Sequence, residues 1–397
     1  MKKGGRMLKD SYDIVIVGGG PAGLNAAINC TDGNISVALF EKDREIGVPV
    51  RCAEGTSEEA LEKYAFVDQD AICSTFNRFK FVAPDKKFVE MESNSMRGFV
   101  LDRKKFERSL ARKAAEKGVQ IFTRAHVRRV QDEDKPVVEV NYAGQDHTVQ
   151  AGLVIAADGI ESRIARDFGI DTTLSMRDTD ACYQMTLTNI DVPEDTVQFW
   201  FSEQIAPGGY AWIFPKGNKT ANVGLGINGL YSEEKLAVDM LEKFVKENFP
   251  ETTMVNSAAG GVAATTSLKQ LVSDNFIVIG DAAHMTNALT GGGIASALAA
   301  GKMAGEQARE ASLAGDTSQN MLKGFEKEWH RTIGKDYRRM YRLKEAMLKL
   351  NDQDFNKLAE KFENTPPEEV KISKLMTTML KRKPSLIIDV TKVFAGL

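Results

Sequence analysis

The chain has 397 residues, of which 43% are hydrophobic and 27% are charged. This length exceeds one small core, so two or three domains or one large composite domain are expected. The composition is that of a globular protein and excludes an intrinsically disordered chain. The formal net charge of -3 provides no global field that would attract nucleic acid, and no nucleic-acid partner is expected.

The four cysteines, Cys30, Cys52, Cys73 and Cys182, form no C-x-x-C pair. Neither a disulfide framework nor a metal site is therefore expected, and reduced thiols in a cytoplasmic protein fit better. The sequence contains no run of about 18 apolar residues, so no transmembrane helix is expected.

The N-terminal region predicts a βαβ unit. Residues 12–17 (YDIVIV) have the pattern of a strand buried on both faces, and LNAAINC predicts the helix that follows. A second apolar strand, SVALF, leads directly to Glu41. Between the first strand and the helix lies the pattern Gly18-x-Gly20-x-x-Gly23, which in this context is specific for a bound dinucleotide.

Each part of this pattern has a physical reason. Gly18 permits the tight turn, Gly20 lets the backbone approach a pyrophosphate, and Gly23 lets helix and strand pack closely. The helix N-terminus offers free N–H groups to the phosphates. Glu41 is expected to accept hydrogen bonds from the ribose hydroxyls of the adenosine.

Two further turns decide between FAD and NAD. Asp158-Gly159 follows the apolar strand LVIAA, and Gly280-Asp281 follows FIVI. An acid at the C-terminal end of a strand lies where open α/β sheets bind ligands, although each aspartate alone could simply form a turn. The three signals in this order favour FAD, with Asp281 holding the ribitol chain of the flavin.

The rest of the chain divides into three parts. Asp102 as N-cap and Gly118 as stop predict a helix over 102–118, and three strands are expected between residues 120 and 158. A separate antiparallel sheet is expected from short strands between Pro, Gly, Asn and Asp turns, at 181–190, 196–203, 209–216 and 220–228. Helices are expected at 232–250, at 292–314, and throughout the Lys-rich region after about 320.

The motif set resembles a known superfamily. GGGPAG, Glu41, the L-D-R that contains Arg103, AADG and GDAAH…GGG are similar to the flavoprotein hydroxylase-like FAD superfamily, over residues 12 to about 310. EIGVPVRCAEG at 45–55, YAWIFP at 210–215 and LTGGGIASAL narrow the resemblance to the geranylgeranyl reductase family, in particular the archaeal digeranylgeranylglycerophospholipid reductases. The chain departs from the family pattern at Ala288 and Ala53, where Pro and Gly are common.

The resemblance implies an α/β fold. A Rossmann-type FAD-binding domain carries an inserted antiparallel β-sheet substrate domain and a C-terminal helical region. The expected boundaries are residues 8–80, 98–172 and 268–325 for the FAD-binding domain, 81–97 and 173–267 for the substrate domain, and 326–397 for the helical region.

The resemblance also implies the cofactor contacts. Arg103 would approach the FAD phosphates, Val127 would flank the adenine, and Gly293 and Ile294 would offer backbone groups to the isoalloxazine. The remaining expected FAD contacts are Gly18, Gly20, Ala22, Gly23, Glu41, Lys42, Arg51, Cys52, Ala53, Gly55, Asp158, Gly159, Gly280, Asp281 and Gly292.

The activity that the resemblance implies is reduction of isoprenoid double bonds on a prenylated glycerophospholipid. Tyr210, Trp212 and Phe214 alternate along a strand and point to one face, where they would either line a prenyl tunnel or pack the domain core. Cys52 is the expected catalytic residue, which shapes access to the flavin or relays a proton, with a thiol pKa lowered if the Arg51 side chain is close. His284 is a weaker proton-donor candidate.

Two alternatives stay open from the sequence. One is a flavin-dependent aromatic hydroxylase or halogenase, and the other is a prenyl-binding protein without redox chemistry. No second dinucleotide pattern is present, so electrons would come from an external donor, which could be NAD(P)H, ferredoxin or a deazaflavin. The end of the chain, MLKRKPSLIIDVTKVFAGL, fits either peripheral contact with a membrane surface or a solvated basic helix end, and we favour the second.

Overall fold

The computed structural model describes residues 8–65 and 67–382. Its strands are β1 Ser11–Val17, β2 Val37–Glu41, β3 Gly55–Ser57, β4 Ile72–Phe76, β5 Arg78–Val82, β6 Phe88–Glu92, β7 Gly98–Leu101, β8 Gln120–Thr123, β9 Ala125–Gln131, β10 Val137–Tyr142, β11 Gln145–Ala156, β12 Thr179–Thr188, β13 Thr196–Trp200, β14 Tyr210–Gly217, β15 Thr220–Asn228, β16 Thr253–Ala263, β17 Val272–Ser273 and β18 Phe276–Val278.

The helices are α1 Pro21–Asn29, α2 Glu58–Tyr64, α3 Arg103–Glu116, α4 Ile164–Asp167, α5 Ala237–Asn248, α6 Ile294–Ala314, α7 Gln319–Arg331, α8 Ile333–Met347, α9 Asp352–Phe362 and α10 Ile372–Arg382. The expected helix caps of α3 are confirmed: the Asp102 side chain accepts a hydrogen bond from the Lys105 N–H, and Gly118 has a φ of 89°.

The first sheet has the strand order β17-β18-β11-β1-β2-β8, in which β18, β11, β1, β2 and β8 run parallel. β1 and β11 are apolar because both faces of this sheet are covered, and Ile14, Val15 and Ile155 are fully buried. Helix α6 crosses α1 closely, since a Cβ on Gly301 would lie 2.4 Å from the Ala22 carbonyl oxygen. The predicted Rossmann-type domain is thus confirmed.

A meander of β9, β10 and β11 extends this sheet. The prediction of one strand over residues 120–131 was wrong, because the chain breaks into β8 and β9 at Arg124. This residue has a φ of 55°, a left-handed conformation that no regular strand accommodates.

The second sheet has the order β16-β12-β15-β14-β13-β5-β6 and is antiparallel except for the pair β13 and β5. β16 was missed by the sequence analysis because it is rich in Ala and Gly and largely exposed. β5 and β6 were missed too, as was the small sheet β3-β7-β4 that lies between the two larger ones. The inserted antiparallel β-sheet of the predicted fold class is thus confirmed.

The domain boundaries given above remain a prediction. β5 begins at Arg78, so the strand crosses the junction expected between residues 80 and 81. The helical region is present from α7 to α10, and α9 and α10 pack against β6 through Val89, Phe362 and Leu375. Within the described residues, no helix combines the length and the apolarity that crossing a bilayer demands. Residues 383–397, which carry most of the basic and apolar end segment, lie outside the described residues.

Candidate functional site

The glycine turn after β1 has the geometry that a dinucleotide needs. Gly18 has a φ of 105°, and a Cβ there would lie 2.2 Å from the Ala157 carbonyl oxygen. A Cβ on Gly23 would lie 2.0 Å from the Gly18 carbonyl oxygen, so close packing explains this glycine. Gly20 faces open space and is the N-cap of α1, with no side chain bonded to the helix N–H groups. These free donors can receive a pyrophosphate.

Glu41 at the end of β2 stabilises this turn. Its Oε2 accepts a hydrogen bond from the Gly19 N–H at 2.6 Å, and its Oε1 accepts one from the Asp43 N–H at 2.8 Å. Each carboxylate oxygen has a further lone pair, so Glu41 can accept ribose hydroxyls as well. The sequence analysis missed its contact with the glycine turn.

Arg103 is a largely buried cation close to Asp281. It pairs with Glu107, and its Nε has no hydrogen-bond partner. Burial by itself lowers the pKa of Arg103, but Glu107 and the Cys52 sulfur raise it more, and the guanidinium stays charged. A buried unpartnered donor on a charged group is expensive unless a ligand completes it. A phosphate group is an acceptor of the kind that this donor needs, and the expected contact of Arg103 with the FAD phosphates stays a prediction.

Gly293 of the second glycine motif lies close to the Asp281 side chain. A Cβ on Gly293 would lie 3.5 Å from Asp281 Oδ1, and the Thr286 hydroxyl donates to that oxygen at 3.1 Å. Burial raises the pKa of Asp281, which Arg103 and Thr286 partly offset. The side chain nevertheless has an exposed surface, so a ligand can reach it, and the space around it between the two glycine motifs is the candidate cofactor groove. Gly293 caps α6 without a side-chain partner, so backbone N–H groups are free for the flavin ring.

Cys52 lies between this groove and the second sheet. Its sulfur accepts a hydrogen bond from the Glu54 N–H at 3.2 Å and neighbours the Arg103 guanidinium. The cation beside Cys52 is therefore Arg103, whereas the exposed Arg51 lies against Gly260 of β16. The sequence analysis expected an effect of Arg51 on the thiol only if the two side chains are close, and the cation that the structure shows beside the sulfur is Arg103.

Glu54, which the sequence analysis did not single out, holds the segment that contains Cys52 in a fixed position. It has a φ of 71° and is 4% exposed. Its Oε1 accepts the Arg103 N–H at 2.9 Å, and its Oε2 accepts Asn222 Nδ2 at 2.6 Å and the Lys216 ammonium. One carboxylate thus joins the Cys52 segment, the start of α3 and two strands of the second sheet.

The second sheet presents two different faces. Ala211 and Ile213 of β14 are fully buried and pack with α5, whereas Tyr210, Trp212 and Phe214 are half-buried on the other face. The α5 side is therefore the packed core. The Tyr210 hydroxyl donates to the Thr290 carbonyl at 2.5 Å, next to the glycine triplet. A Cβ on Gly55 would lie 2.3 Å from the Phe214 ring.

Glycines on the neighbouring strands leave room on this face. The Trp212 ring lies over Gly224, where a Cβ would be 2.4 Å from its Cζ2, and Gly226 is paired with Tyr210. Gln184 links the aromatic residues to the thiol segment: its Nε2 donates to the Cys52 carbonyl at 2.9 Å, and its Oε1 accepts Trp212 Nε1 at 3.2 Å. Gln184 lies two positions from Cys182 on β12, and this strand spacing was the signal that could have found it.

The remaining predicted residues lie around the groove with varied partners. Asp158 already binds the Ser162 hydroxyl at 2.8 Å and the Arg163 N–H at 3.1 Å, which is a turn-forming role. The exposed Lys42 pairs with Glu161 at 3.7 Å. The others lie as follows: Ala22 and Gly280 pack together, Ala53 accepts Asn222 through its carbonyl, Val127 and Ile294 are buried, Gly159 has a φ of 81°, and Gly292 is exposed. Their contacts with a cofactor stay predictions.

His284 is buried in a left-handed conformation with a φ of 55°. Its Nε2 has no partner, and burial lowers its pKa, so the imidazole is neutral at pH 7. It lies under the Gly280-Asp281 turn and remains a weaker proton-donor candidate.

Asp180 is the acidic residue on the open face of β12. By strand alternation it points to the same side as Cys182 and Gln184, and it accepts Asn228 Nδ2 at 3.1 Å. Burial raises its pKa to about 6, although the nearby Lys344 ammonium partly lowers it. The Lys344 Nζ also donates to the Ala264 carbonyl at 2.7 Å, so its charge is shared.

The Glu54–Lys216 pair can be tested through stability. Replacing Glu54 by Gln leaves Lys216 buried without a counter-charge, so the free energy of unfolding should fall by about 3–5 kcal/mol in denaturant titrations. The exposed pair Arg108–Glu45 is the matched control, and Arg108→Gln should cost at most about 1 kcal/mol. The combined variant Glu54→Gln/Lys216→Met should lose less than the sum of its parts. Equal losses of unfolding free energy in Glu54→Gln and Arg108→Gln would contradict the stabilising role of the Glu54–Lys216 pair.

Asp180 predicts a pH-dependent stability. Its folded pKa of about 6 exceeds the usual 3.8, so its contribution is fully present below pH 3.8 and is lost as pH rises through about 6. Asp180→Asn should therefore gain stability relative to the parent protein between about pH 4 and about pH 7, by roughly 1–2 kcal/mol given its residual exposure. Thermal and denaturant unfolding at several pH values measure this difference. A difference that does not change with pH would contradict the assignment.

Comparisons with known proteins agree with this geometry. Residues 178–262 match the family model of the geranylgeranyl reductase catalytic domain, and residues 13–189 match that of the lycopene cyclase protein. The digeranylgeranylglycerophospholipid reductase of Methanosarcina mazei is 37% identical over 395 residues, which cover 98% of this chain and 97% of the relative. Reductase 1 of Methanococcoides burtonii is 35% identical and covers 98% and 96%.

Solved structures give the same result. A geranylgeranyl bacteriochlorophyll reductase-like protein from Thermoplasma acidophilum superposes with a TM-score of 0.90 at 28% identity, covering 97% of this chain and all of that one. The flavin-dependent brominase Bmp2, at 16% identity and a TM-score of 0.70 over 94% of this chain and 99% of its own, shares the fold alone. FAD is the cofactor that the groove fits, and the chain belongs to the digeranylgeranylglycerophospholipid reductase family.

Proposed function

We propose that this protein reduces the isoprenoid double bonds of geranylgeranyl chains on a glycerophospholipid precursor. The observation that carries the proposal is the aromatic face of the second sheet, which starts at the glycine triplet through the Tyr210–Thr290 hydrogen bond. An apolar chain laid on this face would pass beside the groove that fits FAD. Reduced FAD, when bound, would supply the hydride.

The chain's own residues would provide the remaining requirements. The backbone N–H groups of α1 and the Arg103 guanidinium would hold the phosphates, while Asp281 would hold the ribitol. The face formed by Tyr210, Trp212 and Phe214 would exclude water and bind the alkene. A proton must reach the second alkene carbon, and we propose that Cys52 relays it. The proposal is supported by the hydrogen bond of its backbone carbonyl to Gln184, which also bonds Trp212.

An aromatic hydroxylase or halogenase is the competing activity. Its support is the shared fold of the brominase at 16% identity, which does not extend to substrate. A prenyl-binding protein without redox chemistry is disfavoured by the glycine turn, Arg103 and Asp281, since all three keep the geometry that a flavin needs.

The function is tested together with Cys52. In anaerobic protein reduced chemically with dithionite, a digeranylgeranyl phospholipid should reoxidise the flavin, and each reduced bond should add two hydrogens to the lipid by mass spectrometry. Cys52→Ala should keep the yellow flavin spectrum and slow this reaction about 10²–10⁴-fold if the thiol relays the proton. Cys73→Ala, on β4, is the control and should react like the parent protein.

The two parts fail separately. If lipid leaves the flavin reduced while an aromatic acid with oxygen is converted, the protein is a hydroxylase. If lipid is reduced equally fast by Cys52→Ala, the thiol has no part in the mechanism.

Glu41 predicts how firmly FAD is held. Glu41→Ala removes a charged acceptor for the ribose and releases the Gly19 N–H, so FAD binding should weaken by about 1–3 kcal/mol. Titration of the apoprotein with FAD, followed by fluorescence quenching, measures the change. The exposed Glu161, which pairs with Lys42, offers a control in Glu161→Ala. Undiminished affinity in Glu41→Ala would mean that the ribose lies elsewhere.

A further inference from the structure

The aromatic face continues beyond the YAWIFP strand. On β13, Phe199 is paired with Trp212, and on β5, Phe81 is paired with Phe199. Directly paired residues point to the same side of a sheet, so the aromatic rings form one row across three strands. The rings of Phe81 and Phe199 stack with centroids 5.8 Å apart. All three residues are half-buried, as expected of a wall rather than a packed core.

This row is about 10 Å wide, since neighbouring strands are about 4.8 Å apart. Phe199 also contacts Tyr210 at 5.5 Å and Phe214 at 5.9 Å between ring centroids. The sequence motif at 210–215 therefore supplies only the part of the wall nearest the glycine triplet. Residues from β13 and β5, far apart in sequence, supply the rest.

A helix from the C-terminal region packs against this aromatic face at Phe201, which is next to Tyr210. Phe355 of α9 stacks on Phe201 with centroids 5.1 Å apart and planes at 8°, and Phe201 contacts Tyr210 at 6.1 Å. Phe355 also packs in the cluster that contains Phe81 and Val89. Phe201 and Phe355 are both half-buried, so each still presents ring surface to open space.

Hydrogen bonds on both sides of Phe355 fix its position. Asp352 Oδ1 accepts the Glu203 N–H at 2.9 Å, and its Oδ2 accepts the Ser202 hydroxyl at 3.3 Å. One turn later, Asn356 Oδ1 accepts the Asp85 N–H at 3.0 Å. The ring therefore sits on a helix that is attached to the sheet at two points. The helix cannot shift away from the sheet without breaking these hydrogen bonds.

We propose that Phe355, stacked on Phe201, closes the prenyl wall on the side of α9 and limits how far a chain can advance along it. This inference rests on the proposed function. The double bonds of a prenyl chain recur at fixed intervals, and only the bond beside the flavin can react. Because several bonds of one chain are reduced, the chain must move past the flavin. A fixed stop at Phe355 therefore limits which of its bonds can reach the reacting position and which chain length fits.

The test asks whether the chain-length selectivity of the enzyme changes with the size of the side chain at position 355. Phe355→Ala should let a chain one isoprene unit longer than geranylgeranyl enter, and should raise its kcat/KM relative to geranylgeranyl by about 10-fold or more. Phe355→Trp should shift the ratio in the opposite direction, toward farnesyl chains. Mass spectrometry of partly reduced products should also show a changed order of bond reduction in Phe355→Ala.

Phe362 is the matched control, because it lies on the same helix but is only 3% exposed and packs inside the cluster with Val89 and Leu375, whereas Phe355 stacks on Phe201. Phe362→Leu should lower the melting temperature without changing chain-length selectivity. FAD titration and thermal unfolding show whether each variant is folded, and Phe355→Leu replaces Phe355→Ala if the latter does not fold.

Parental selectivity and reduction order in folded variants with both smaller and larger side chains at position 355 would overturn the proposal. Failure of the parent protein to reduce any prenyl lipid would be a different result, because it would reject the proposed function itself.

Discussion

The buried carboxylate of Glu54 is the constraint on which the site depends. A carboxylate in the protein interior is unfavourable unless charged and hydrogen-bonding partners surround it, and here Lys216, Asn222 and the Arg103 N–H provide them. These partners come from the second sheet and from α3 of the first domain. The two domains are therefore joined at the segment that carries Cys52, and the thiol has a fixed position relative to both.

The same interaction explains an unusual backbone. Glu54 adopts a left-handed φ of 71°, a conformation that costs a non-glycine residue about 1–3 kcal/mol. The turn directs the Cys52 sulfur toward the Glu54 N–H and the Arg103 guanidinium instead of toward solvent. Favourable contacts of the carboxylate thus stabilise a strained segment beside the Cys52 thiol, for which we propose a role in proton relay.

The two faces of the second sheet differ: one is a packed core, and the other leaves space in which a ligand could bind. Its α5 face is filled by fully buried aliphatic residues such as Ile213 and Leu225, which supply packing energy. Its other face combines half-buried aromatic rings with glycines such as Gly224, which leave space above the strands. A chain bound there can replace water on apolar surface without disturbing the core behind it.

The sequence by itself determined the dinucleotide half of the protein. Gly18, Gly20 and Gly23 lie within a few consecutive residues, and local backbone geometry requires glycine at Gly18 and Gly23, so a linear pattern contains the signal. The N-cap at Asp102 and the one-sided aromatic pattern of β14 are equally local. Each of these features can be recognised from residues within a few positions of one another.

Tertiary structure alone decided the other half. The cation beside Cys52 is Arg103, 51 positions away and not the adjacent Arg51, because the partner of a side chain is set by where the chain returns and not by its order. The charges around Glu54, the ring of Phe199 opposite Trp212 and the stack of Phe201 on Phe355 have the same origin. They are long-range pairings between strands and helices, and no short stretch of sequence encodes the register that creates them.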